Sequence, residues 1–138
     1  MGITITTVEQ AERVSQTSRD ELPAVLSEAN AAGLRMHVHN GFAWFLDDMV
    51  QALAIGLPEL LFTQGVAADP HNPGDLDPEG CVRLAAAIDC RDKNWLKAAM
   101  CAGHLGSQGK DLDDAVVFVR DLSHLLRAAA AQRGMRVQ

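Results

Sequence analysis

The sequence predicts an α+β domain: a small sheet of a central β-hairpin plus one or two further strands, packed by helices, with a helical C-terminal half. Three observations carry that expectation. Leu34, Met36 and Val38 alternate with Arg35, His37 and His39, run into Asn40-Gly41, and are followed by Phe42-Ala43-Trp44-Phe45-Leu46. Asn-Gly between two strand-like runs supplies the positive φ angles that a type I′ hairpin turn requires. Near the C-terminal end, Leu112, Val116, Val119, Leu122, Leu126 and Ala129 recur at spacings of three and four, the stripe of an amphipathic helix. The chain of 138 residues is 48% apolar and 22% charged, which is globular composition at the size of one domain, residues 1–138.

The elements follow in order along the chain. Ile3 and Ile5 alternate with Thr4 and Thr6 as a short β-branched strand. Thr6 and Glu9 have the spacing of a capping box, opening a helix with Val8, Ala11 and Val14 on one face. Ser18 and Glu21 repeat that spacing ahead of Leu22, Val25, Leu26 and Ala29, with Pro23 in the first turn, where its missing N–H costs little. Gly33 is placed to end this helix in a left-handed conformation. After the hairpin, Asp47 or Asp48 caps a short helix through Met49, Val50, Leu53 and Ala54 to Gly56, and Leu60-Leu61-Phe62-Thr63 forms a buried strand. Residues 64–80, rich in Pro, Gly, Asp and Asn, predict a long surface loop. Asp77-Pro78 opens a helix holding Leu84, Ala85 and Ile88, and a further helix holds Trp95, Leu96, Ala99 and Met100 up to Gly103. Asp111 caps the last helix and Gly134 ends it.

Charge and cysteine usage narrow the partners and the compartment. A net charge of −6 without a basic cluster disfavours nucleic acid and anionic membrane surfaces. Cys81, Cys90 and Cys101 are odd in number and lack C-x-x-C spacing, which predicts reduced thiols in a cytoplasmic protein. No basic segment precedes an apolar run at the N-terminus, and no apolar stretch approaches membrane-spanning length.

Several patterns carry candidate chemistry. On a strand, His37 and His39 point the same way, about 6.6–7 Å apart along the chain, so both imidazoles can approach one divalent metal. Asp47 or Asp48, His71 or His104 would complete the set, giving His37, His39, Asp48 and His104 as the candidate ligands. Arg35 shares that face and opposes a cation, and alternating polar residues are also what the solvated face of a hairpin needs. In the stretch from Asp69 to Gly80, Asp69, Gly74 and Asp77 match three positions of a calcium loop. His71, Pro73 and Gly80 break the pattern at three others. Gly103-His104-Leu105-Gly106-Ser107-Gln108-Gly109-Lys110 precedes a helix but is not a Walker A loop, and Asp111, Asp113 and Asp114 repel an anion there. Cys101 and His104 are three apart with Gly103 between them, which breaks a helical Cys–His geometry. His124 lies with Arg120 and Arg127 on the polar side of the last helix, a structural position, and Glu59 stands as a lone carboxylate.

Residues 22–88 also carry a set of short motifs: a helix leading through Ala31-Ala32-Gly33 into a strand, Phe42-Ala43-Trp44, Gly56-Leu57-Pro58-Glu59-Leu60-Leu61-Phe62-Thr63, and a helix from Pro78 to Ile88. In these the chain resembles the domain of unknown function 4262 family. It departs from that family in some ten extra residues before Gly56-Leu57, in Trp44 where the family has Tyr, and from Asp89 onward. The resemblance implies an α+β fold and no established activity.

With no catalytic constellation outweighing its structural alternative, the sequence predicts a non-enzymatic binding or regulatory protein. Such a module is expected to act through protein–protein association as a homodimer, with Phe42, Trp44 and Leu46 as interface anchors and no cofactor. The competing class is a small metal-dependent or acid–base enzyme built on His37 and His39. A third is a small-molecule sensor with a pocket between hairpin and helices.

Overall fold

The computed structural model describes residues 2–39, 76–102 and 112–137. Within them the chain folds as β1 (Gly2–Thr7), α1 (Val8–Gln16), α2 (Leu22–Ala31), β2 (Arg35–His39), α3 (Pro78–Asp89), α4 (Lys93–Ala102), α5 (Leu112–Ala130) and β3 (Met135–Val137). The three strands form one antiparallel sheet in the order β2-β1-β3, and the helical C-terminal half packs against it. The α+β expectation therefore holds. The second hairpin arm (42–46), the short helix after Asp47 and Asp48, the Leu60–Thr63 strand, and the Gly103–Lys110 and Asp111 features lie outside the described residues.

The period-2 pattern of β1 sorts its side chains between two faces. Ile5 pairs with Met36 on one side and Val137 on the other, and Thr7 pairs with Met135. Ile5, Val38, Met135 and Val137 are buried on the face that meets the helices. Leu84, Ile88, Phe118, Leu122, Leu125 and Leu126 supply the helical side of this core, with α3 and α5 in the most extensive contact. The stripe expected on α5 is rotated: Ala115, Phe118 and Leu125 are fully in the core, while Val116 and Val119 are only half-buried along its flank.

Two helix starts differ from their expected registers. Thr6 belongs to the strand, and its hydroxyl donates to the Leu34 carbonyl at 3.2 Å. Thr7 caps α1 instead, accepting from the Gln10 amide at 3.1 Å. The cap thus falls one residue later, because strand pairing extends through Thr7, and it is one-sided: the Thr7 amide donates to the Leu34 carbonyl rather than to the Gln10 side chain. Ser18 does not cap α2. Its carbonyl accepts from the Glu21 and Leu22 amides in a turn, and the helix begins at Leu22 with Pro23 in its first turn. The helix ends as predicted: Gly33 has φ +74°, the Leu34 amide donates to Ala29 and the Gly33 amide to Asn30, which is a Schellman closure.

The predicted 64–80 loop is corrected at its C-terminal end. Leu76 is fully buried and exchanges both backbone hydrogen bonds with Met135, at 2.8 and 2.9 Å. Asp77 then caps α3 as the sequence indicates, its carboxylate accepting from the Gly80 amide at 2.7 Å. The rest of the calcium-loop stretch, from Asp69 to Asp75, lies outside the described residues. α5 stops at Ala130, and Gly134 closes the turn that follows, with φ +107° and its amide donating to Ala129. The strand β3 immediately afterward was not anticipated.

Candidate functional site

Among the sequence-derived metal candidates, His37 and His39 fall on β2, in register with Thr4 and Gly2 of β1, and flank the buried Val38 along the strand. The His37 ring lies exposed, its Nδ1 3.5 Å from the Thr4 hydroxyl on the neighbouring strand. Arg35, on the same strand, donates to the Asn30 side chain at 3.2 Å. Asp48 and His104 lie outside the described residues, as do the proposed interface residues Phe42, Trp44 and Leu46. Among the described residues no group of three or more His, Cys, Asp or Glu side chains could hold a metal ion.

A better-formed site lies where the α3–α4 connection meets α5. A cleft of about 300 Å³ opens there. Its floor and walls are apolar: Ile88 and Leu96 are buried, and Trp95, Val116 and Val119 are half-buried. Its rim is charged, with Arg91, Lys93 and Arg120 beside Asp89 and Asp92.

Each wall is fixed by a local device. The carboxylate of Asp92 accepts from the Trp95 amide at 2.9 Å, and its carbonyl accepts from the Leu96 amide, so Asp92 starts α4 and sets the direction of Trp95. The Arg91 guanidinium stands 5.4 Å from the centroid of the Trp95 ring, a cation–π arrangement that holds both side chains at the mouth. At the back, Ser123 Oγ donates to Asp89 Oδ1 at 2.9 Å and Arg127 donates to Asp89 Oδ2, tying the end of α3 to α5. The Arg127 hydrogen bond, opposed by desolvation and helped by Ser123 and the Arg127 charge, holds the Asp89 carboxyl below the usual aspartate range.

A second hollow of about 330 Å³ lies where α2 ends, between Gly33, Arg35, Asp121 and His124. His124 serves structure there. Its Nε2 is 3.3 Å from the Ala32 carbonyl, and its ring covers Gly33 so closely that a Cβ on residue 33 would sit 2.5 Å from Cδ2. The two described thiols are not poised for chemistry with each other: Cys81 is buried in the core, and Cys90 is exposed at the end of α3.

Sequence reasoning missed the α3–α4–α5 cleft because its parts are dispersed. Val116 and Val119 read as core, and Trp95 as one more apolar helix position. One local signal was present in Arg91-Asp92-Lys93-Asn94-Trp95, a helix-capping Asp flanked by two cations and followed three residues later by Trp. No family model, curated protein or solved structure matches the chain. The Phe42–Trp44 and Gly56–Thr63 motifs of the family resemblance fall outside the described residues. Among the described residues no helix is long and apolar enough to cross a membrane.

Proposed function

We propose that this chain is a non-enzymatic binding and regulatory module that takes a small molecule in the cleft between α3, α4 and α5. The observation that supports this reading is the composition of that cleft: a buried apolar floor, one Trp wall and a charged rim, at the lower end of the volumes that small-molecule sites occupy. Such a module would pass its occupancy on by association with a protein partner or a second copy, for which Phe42, Trp44 and Leu46 remain the candidate anchors.

The test is a thermal-shift screen of small organic compounds against the native chain and a Val119→Trp variant, whose larger side chain fills the cleft from α5. A ligand at a hundred times its Kd adds about 2.7 kcal/mol to stability. Stabilisation of the native chain that disappears in Val119→Trp, with the circular dichroism unchanged, supports the reading. Stabilisation that survives in the variant counts against it.

The competing metal-centred reading draws on His37 and His39 of β2. A Zn²⁺, Mn²⁺ or Fe²⁺ shift that is lost in the His37→Ala/His39→Ala double variant would favour it instead.

A further inference from the structure

We infer that the α3–α4–α5 cleft is selective for an organic monoanion with a compact aromatic body, a fused-ring carboxylate being the representative case. The inference rests on the cleft being a binding site, and it adds the class of ligand. The chain as a whole carries a net charge of −6, yet the rim of this cleft holds three cations, Arg91, Lys93 and Arg120, against two acids.

Both acids already have hydrogen-bond donors. Asp89 accepts from Ser123 and Arg127, and Arg127 adds a fourth cation just behind the rim. Asp92 accepts from the Trp95 amide. Of the rim cations, Lys93 has no ion-pair partner among the described residues, and Arg120 has only an exposed contact of 3.7 Å with Asp121. The cleft therefore presents net positive charge above an apolar floor, in a molecule whose general field repels anions. With Arg127 beside Asp89 and Asp121 beside Arg120, four cations stand against three acids, a surplus that one negative charge offsets, whereas a dianion would be held beside the Asp89 and Asp92 carboxylates. Trp95 and the half-buried Val116 and Val119 favour a flat body that stays in the cleft while the carboxylate remains at the mouth.

The probes are 1-naphthoate and its neutral isostere 1-naphthamide, titrated by calorimetry and by the indole N–H signal of Trp95, assigned with a Trp44→Phe variant. The expected result is that 1-naphthoate moves the Trp95 signal and binds about tenfold more tightly than the amide, the preference expected of a charge-assisted contact. That preference should vanish in Lys93→Gln/Arg120→Gln and shrink in high salt. Equal affinity of the two compounds, with Trp95 still shifted, overturns the anion class and leaves the binding site standing. If neither compound moves the Trp95 signal, the cleft itself is not a site for such ligands and the inference falls with it.

Discussion

The hydroxyl of Thr7 donates to the Gln132 side chain at 2.8 Å while accepting from the Gln10 amide at 3.1 Å, so one buried atom joins the two ends of the described fold. The turn after α5 completes the arrangement. The Gly134 and Gln132 carbonyls accept from the Val8 and Glu9 amides, which leaves the first turn of α1 satisfied by residues some 125 positions away. Arg133, held at φ 66° in the same turn, reaches Glu9 and Glu12 on α1. The turn that leads into β3 thus also supplies partners for the first turn of α1.

Thr7→Ala should lower unfolding stability by about 1–2 kcal/mol, the cost of a lost N-cap, and Thr7→Ser should recover most of it. A double-mutant cycle with Gln132→Ala should give a coupling on the order of 0.5–1 kcal/mol in urea denaturation, because the two side chains share one hydrogen bond. Additive losses would mean that Gln132 acts apart from the cap.

Two glycines should respond differently to Ala. At Gly134 a Cβ would lie 2.2 Å from the Leu76 carbonyl oxygen, a backbone atom locked in the bridge to Met135. At Gly33 it would meet the His124 side chain. Both substitutions carry the left-handed backbone penalty of about 1–2 kcal/mol, but only the contact at Gly33 can be removed from the other side. Gly33→Ala/His124→Ala should therefore be less destabilised than the sum of its single variants. No second-site truncation of a side chain should rescue Gly134→Ala.

How far the sequence revealed this fold depends on the range of the signal. Asp77-Pro78 and Gly33 are local devices that appear where they are expected, and the periodicity of α5 marks the helix itself although its buried face is rotated. β3 is only three residues long, too short for any period, and is defined by pairing with β1 at the opposite end of the chain. Leu76 looked like part of a loop because its neighbours are polar; it is buried by Met135, a residue that no local pattern connects to it. The Thr6/Thr7 displacement has the same origin, since strand pairing rather than capping preference chose where β1 ends. The cleft was harder still, for Arg91 and Arg120 come from elements nearly thirty residues apart.

Asp89 predicts a defined acid response. Its folded pKa is depressed, chiefly by the Arg127 hydrogen bond, so its stabilising contribution is fully present above the ordinary aspartate pKa. It is lost as pH falls through the depressed value. The side chain is 42% exposed, so solvent screening limits the contribution to a few tenths up to about 1 kcal/mol. Asp89→Asn should cost that much at neutral pH and flatten the acid limb of the stability profile. In Arg127→Leu, the Asp89 carboxyl followed by NMR should titrate closer to the usual range.

Thiol reactivity should divide the two described cysteines. Burial above all pushes the Cys81 thiol up to about 11, and the side chain has no solvent exposure, so at pH 8 it stays protonated and shielded. Iodoacetamide followed by peptide mass spectrometry should label Cys90 promptly and Cys81 only as fast as the protein opens. Rapid labelling of Cys81 would show that the α3–α5 core opens without global unfolding.

The central claim, that the α3–α4–α5 cleft is where this protein binds its ligand, is tested most directly by a crystal structure of the chain with a stabilising compound from the thermal-shift screen. Density for that compound is expected against Trp95, Val116 and Val119, with its polar end at Arg91, Lys93 or Arg120. Density in the hollow beside Gly33 and His124, or over Phe42, Trp44 and Leu46, with the cleft empty, would contradict that claim.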